Sequence, residues 1–81
     1  MNLPVLYVKT GCPGCIVALE YLDDRGVAYK KVTVSGDPDA MREMKELSGQ
    51  TKTPTIAVNG HVLADFGVEE LEPFLKKHSL V

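Results

Sequence analysis

The sequence predicts an α/β domain of the order β-α-β-α-β-β-α, a mixed four-stranded sheet with helices packed on it. Three observations carry this expectation. Short β-forming runs alternate with stretches in which apolar residues recur at helical spacing. Asn59-Gly60 separates two four-residue apolar stretches, and this pair is favoured in type I′ hairpins because both residues tolerate positive φ. The chain has 81 residues, a size that buries roughly 60% of its unfolded surface, enough for one core without staples. Residues 1–81 are therefore read as a single domain.

The first run, residues 3–8 (LPVLYV), is almost uninterruptedly apolar and stops at Lys9, so it reads as a central strand buried on both faces. From Pro13 the period changes. Ile16, Leu19 and Leu22, beside Val17 and Tyr21, mark a helix of about four turns, which Gly26 closes. Residues 28–34 (AYKKVTV) are rich in β-formers and end in a turn. Asp37 as N-cap and Pro38 at the first helical position open a second helix, with Met41, Met44 and Leu47 as its apolar stripe and Gly49 at its end. The hairpin pairs residues 55–58 with 61–64. In the tail, residues 67–81, Glu69, Glu70 and Glu72 come early and Lys76, Lys77 and His78 late, which suits a helix dipole. Pro73 removes one backbone bond there, so a kink or restart near Glu72 is expected. A right-handed crossover makes the first two strands parallel, and the hairpin adds an antiparallel pair.

Composition narrows function by exclusion. Nine Lys and Arg face eleven Asp and Glu, and no run of like charge provides a nucleic-acid arm. The apolar start is broken by Pro4 and ends at Lys9, which fits neither a signal peptide nor a membrane span. A cytoplasmic, monomeric protein is expected, in a compartment that keeps thiols reduced.

The chain's two cysteines stand as Cys12-Pro13-Gly14-Cys15, in the loop between the first strand and the first helix. Ligands bind at that end of the strands in open α/β sheets. Pro13 suits the first position of a helix, which places Cys12 at the N-cap and Cys15 one turn on, with their sulfurs in reach of each other. Backbone N–H groups and the helix dipole stabilise a thiolate on Cys12 and lower its pKa below the free value of about 8.5. Lys9, three residues earlier, is expected to add to that effect. Such a thiolate attacks a disulfide to give a mixed disulfide, and a second thiol resolves it. Cys15, deeper in the helix turn, is the expected resolving thiol. Gly14 costs about 1 kcal/mol relative to Ala in a helix but removes bulk beside the sulfur. A closed zinc site needs four ligands, and two Cys with His61 and His78 have no such spacing, so no metal is expected.

These residues give the chain its resemblance to the glutaredoxin family of the thioredoxin fold. The matching pieces are YVKTGCPGC (7–15), LSGQTKTPTIAVNG (47–60) and FGVEEL (66–71), and the likeness covers nearly the whole chain. It implies a thiol-disulfide oxidoreductase acting on protein or glutathione mixed disulfides, with no tightly bound cofactor and glutathione as a co-substrate. It implies a cis bond between Thr53 and Pro54, facing the cysteines, with the Thr53 backbone free to pair with an extended substrate. Carried over residue by residue, the substrate and glutathione site comprises Lys9, Pro13, Gln50, Thr53, Pro54 and the region of Asp65. Where the family has a glycine pair in the last turn, this chain has Leu63-Ala64, followed by Asp65-Phe66-Gly67.

That departure brings LADFGVEEL closer to glutaredoxin-like redoxins that donate electrons to ribonucleotide reductase and are reduced by thioredoxin reductase. Glutathione and thioredoxin reductase thus stand as alternative electron donors. A third reading, from a different class, is a dimer holding an iron-sulfur cluster through the first cysteine of each subunit and two glutathiones. The supporting residues have plainer readings as well: Lys52 as a solvated loop charge, Asp65 as cap of the last helix, Tyr7 and Phe66 as core, and His61 as a surface hairpin residue.

Overall fold

The computed structural model describes residues 3–80, and its elements follow the expected order. They are β1 (Val5–Val8), α1 (Pro13–Asp24), β2 (Lys30–Thr33), α2 (Pro38–Ser48), β3 (Thr55–Val58), β4 (His61–Ala64) and α3 (Val68–Lys77). The sheet runs β2-β1-β3-β4, with β1 and β2 parallel and the other pairs antiparallel. Asn59 and Gly60 both take positive φ, 49° and 82°, as the hairpin turn requires. Val81, the last residue of the expected tail, lies outside the described residues.

The uninterrupted apolar run of β1 is explained by its central place. Leu6 and Val8 face a core shared with α1 and α3, whereas Tyr7 faces the other way, into a core closed by α2. Tyr7 donates its hydroxyl to Glu43 Oε1 at 2.8 Å. Burial, helped by that bond, pushes the Tyr7 phenol up to about 12. β1 starts two residues later than expected, because Leu3 and Pro4 precede the ladder. Pro4 has no N–H to give, yet its carbonyl accepts from Lys30 N at 2.8 Å. β2 is likewise shorter than residues 28–34.

Three expectations about the helices are corrected. On α1 the buried line is Cys15, Ala18 and Leu22, while Ile16 and Val17 are 54% and 50% exposed. Seating Cys15 in the core sets the rotation of the helix, and its two apolar neighbours are turned outward. On α2, Ala40 and Met44 are buried and Met41 is half-buried, but Leu47 is 48% exposed, because a lone helix on that face touches the sheet along a narrow stripe. α3 runs unbroken through Pro73, with no restart near Glu72. Leu71 and Leu75, both fully buried, bracket the proline and hold the turns on either side against one core, with the ring on the exposed side. The loss of one backbone bond is outweighed by that burial, each leucine contributing about 1.5–3 kcal/mol.

α1 and α3 lie side by side under the sheet. Tyr21 donates to Glu72 Oε2 at 2.9 Å, and Arg25 and Lys76 reach the same carboxylate at 3.3 and 3.4 Å. These bonds join the last turns of α1 to the middle of α3, leaving the start of each helix free to build the site. Among the described residues no helix is long and apolar enough to cross a membrane.

Candidate active site

The parallel β1–β2 ladder delivers the chain at Val8 into a loop of four residues, and Cys12 closes that loop as N-cap of α1. Its backbone is extended (φ −88°, ψ 111°), with Pro13 at the first helical position. Cys12 Sγ accepts from Cys15 N at 3.2 Å and from Thr53 Oγ1 at 3.6 Å, and lies 3.9 Å from the Thr53 carbonyl, to which its S–H donates. Both thiols are free; Cys12 is half-buried and Cys15 only 2% exposed.

The two thiols are driven apart. Burial pushes Cys12 up, but hydrogen bonds from the Cys15 thiol, the Thr53 hydroxyl and the N–H groups of Cys15 and Gly14 together outweigh it and leave Cys12 below the ordinary thiol range. Burial pushes Cys15 up, and its hydrogen bond to Cys12 and the nearness of the Cys12 charge add to the rise. One sulfur thus ionises more readily than an ordinary thiol and its neighbour less readily.

Thr53 and Pro54 are joined by a cis bond and face the cysteines, the arrangement implied by the family resemblance. Pro54 packs against the first turn of α1: a Cβ built on Gly14 would stand 3.4 Å from Pro54 Cδ. The loop before Thr53 is organised by side chains. Gln50 Nε2 donates to Ser48 Oγ at 2.8 Å and Thr55 Oγ1 at 3.1 Å, and Gln50 Oε1 accepts from Lys52 N at 2.6 Å. Thr55, fully buried, donates its hydroxyl to the Lys52 carbonyl at 2.8 Å. Both ends of the Gln50 amide are therefore occupied in shaping the loop that carries Thr53.

The Thr55 hydroxyl is the hinge pin of that loop. Thr55→Val keeps the shape but leaves the Lys52 carbonyl and one Gln50 N–H without this partner, at an expected cost of about 1–3 kcal/mol. Denaturant unfolding should show a lower midpoint with an unchanged slope.

Lys9 is tied to the loop that carries Thr53. Its ammonium donates to the Thr51 carbonyl at 2.9 Å. Asp65 is not the cap of α3. That position belongs to Gly67, whose N–H is reached by Glu70 Oε1 at 3.4 Å. Asp65 pairs instead with Lys52 at 3.8 Å, while its N–H donates to the Pro54 carbonyl at 2.9 Å. The left-handed backbone of this turn falls on Asp65 itself (φ 52°), one residue past Leu63-Ala64, which lie in β4. Lys52, read as a solvated charge, thus has a partner across the site.

Sequence reasoning missed a cleft between the starts of α1 and α3. Gly14, Val17 and Ala18 of α1 and Phe66, Val68 and Leu71 around the start of α3 enclose about 240 Å³ with no charged side chain in the wall. Phe66 is buried, as expected of core, yet also forms part of this wall. Val17, counted in the sequence among the apolar marks of the helix, is half exposed and lines this cleft. Among the described residues no three His, Cys, Asp or Glu side chains gather as metal ligands.

Comparison with known proteins agrees with this geometry. A family model described as glutaredoxin matches residues 5–63. The chain is 29% identical over 72 residues to an uncharacterized glutaredoxin-like 8.6 kDa protein in a rubredoxin operon of Clostridium pasteurianum, covering 89% of this chain and 96% of that one. It superposes on the crystal structure of the thioredoxin-like protein BC3987 with a TM-score of 0.81 at 30% identity, covering 89% of this chain and 99% of that one. It shares its fold with buckwheat glutaredoxin, solved as a glutathione complex, at a TM-score of 0.72 and 20% identity, over 98% of this chain and 73% of that one.

Proposed function

This chain belongs to the glutaredoxin family and is a thiol-disulfide oxidoreductase, and on that premise we propose that it works through the Cys-Pro-Gly-Cys dithiol, Cys12 attacking and Cys15 resolving. The observation that carries the reading is the opposite tuning of two adjacent thiols. Donors at a helix start lower the Cys12 thiol below its ordinary range, and burial in the core raises that of Cys15. In the first step the Cys12 thiolate bonds to one sulfur of the substrate disulfide, the S–S bond breaks, and the other substrate sulfur departs with the electron pair and takes up a proton. In the second, Cys15 gives up its proton and attacks Cys12 Sγ, releasing the remaining substrate thiol and closing a Cys12–Cys15 disulfide. Two electrons have then passed to the substrate.

The backbone around Thr53, beside Cys12 Sγ, is suited to an extended substrate segment laid alongside it as a strand. The uncharged cleft between the starts of α1 and α3 favours polypeptide substrates that bring an apolar side chain. Glutathione is the proposed co-substrate and thioredoxin reductase the alternative donor. Cyclic reduction of the dithiol fits a reducing compartment such as the cytoplasm.

The test couples NADPH oxidation, in parallel, to glutathione with glutathione reductase and to thioredoxin reductase, using one model protein disulfide. Turnover with glutathione is the expected result and establishes the glutaredoxin cycle. Turnover only with thioredoxin reductase replaces glutathione as donor, and turnover with neither overturns the proposed activity.

A further inference from the structure

The loop that presents Cys12 has little backbone bonding of its own. Its turn is closed by Cys12 N donating to the Lys9 carbonyl at a long 3.4 Å, and Gly11 takes a left-handed backbone (φ 75°). The loop is held instead by side chains from elsewhere in the fold. On one side Lys9 Nζ reaches the Thr51 carbonyl. On the other, the Ser35 hydroxyl accepts from Thr10 N at 3.0 Å and donates to Thr10 Oγ1 at 3.1 Å, so that one small side chain grips one residue at two points.

Ser35 is itself well anchored. It follows directly on the β1–β2 ladder, where Val34 N donates to the Val8 carbonyl at 2.8 Å, and the turn beyond it is closed by Asp37 N on the Val34 carbonyl at 3.2 Å. The clasp therefore ties Thr10, two residues before the nucleophile, to the rigid edge of the sheet. Ser35 and Thr10 are both exposed, so these bonds add little to global stability. What they fix is local: the place of Cys12 relative to Cys15 N, 3.2 Å away, and to the Thr53 hydroxyl, 3.6 Å away. Hydrogen bonds weaken steeply with distance and angle, so a small drift of the loop weakens the donors that hold the thiolate.

We infer that Ser35 is a positioning residue for Cys12, acting through Thr10 to hold the nucleophile's loop in register with its donors. The inference rests on the reading of Cys12 as nucleophile, and the experiment separates the two. Alkylation of the reduced protein by iodoacetamide is followed at Cys12 by mass across the pH range, alongside disulfide reductase turnover and thermal unfolding. The variants are Ser35→Ala, Ser35→Thr, Thr10→Val and Cys12→Ser.

Ser35→Ala is expected to raise the alkylation midpoint by about half a pH unit, roughly a threefold loss of thiolate below the midpoint, with turnover slowed in proportion over that same pH range. At alkaline pH its rate should rejoin the wild type, and its thermal midpoint should stay put. Ser35→Thr keeps the hydroxyl and should restore the profile. Thr10→Val loses one of the two bonds and should fall between. A wild-type profile in both Ser35→Ala and Thr10→Val overturns the inference, as does a shift that comes only with a matching fall in thermal stability and is not rescued by threonine. If Cys12→Ser is inactive while Ser35→Ala is unaltered, only the positioning role fails; if Cys12→Ser keeps its activity, the assignment of the nucleophile fails first.

Discussion

Cys12→Ser is expected to remove disulfide reductase activity, by on the order of a thousandfold or more, without unfolding the protein. The serine hydroxyl would sit in the same N-cap, where serine is a preferred residue, and would accept the same Cys15 N–H, so the helix start is preserved. The loss is chemical. A hydroxyl does not ionise near neutrality and forms no bond to sulfur that a thiol could exchange, whereas the Cys12 thiol is brought below the ordinary range by four hydrogen bonds that outweigh its burial. The sign of the pH dependence follows. Because the thiolate attacks, turnover falls as pH drops through the lowered Cys12 titration, and the falling limb should lie below that of a free cysteine, whose pKa is about 8.5. Steady-state turnover of a model disulfide from acid to alkaline pH checks both statements. Wild-type activity in the serine variant would place the nucleophile elsewhere.

The parts of this site that were legible in the sequence are those written in local chemistry. Pro13 can occupy the first position of a helix, which places Cys12 at the N-cap on local chemistry alone. Asn59-Gly60 fixed the hairpin, and Gly49, which takes a left-handed φ of 73°, marked the end of α2. The turn between β4 and α3 shows where locality ends. A carboxylate before a helix reads as a cap, yet Asp65 is two residues short of Gly67 and is drawn to Lys52 across the site. Nothing near Asp65 in the chain announces that partner. The same holds for Lys9, whose destination is a carbonyl 42 residues away, and for Ser35 and Thr10, which meet across 25 residues. The rotation of α1 is also a tertiary property. Ile16, Leu19 and Leu22 form as good a helical stripe as Cys15, Ala18 and Leu22, and only the demand that a small thiol and a methyl lie against the sheet selects the second. The cis bond at Thr53-Pro54 was implied by the family likeness and had no local signal of its own.

Cys15→Ser should convert the enzyme into a trap for its protein substrates, visible as a mixed disulfide at Cys12 in the intact mass. With Cys15 only 2% exposed, it has no access to a substrate in solution, and the sulfur it can reach is Cys12. Its reactivity is also timed by its partner. In the reduced protein, burial, the hydrogen bond to Cys12 and the Cys12 charge all hold the Cys15 proton on. Once Cys12 enters a mixed disulfide it carries no charge, the charge repulsion and that hydrogen bond are lost together, and Cys15 can release its proton and attack. Serine cannot make that attack, so reduction of a protein disulfide should stall after one step, with turnover reduced about a hundredfold or more, while the first burst of attack keeps its wild-type rate. Added glutathione can replace the missing thiol from outside, and recovery of turnover in its presence would show that the tripeptide reaches Cys12 despite the non-glycine turn at Leu63-Ala64-Asp65. If no adduct accumulates while the first step still proceeds, the resolving thiol is not Cys15, and the burial that holds its proton on would be a property of the core alone.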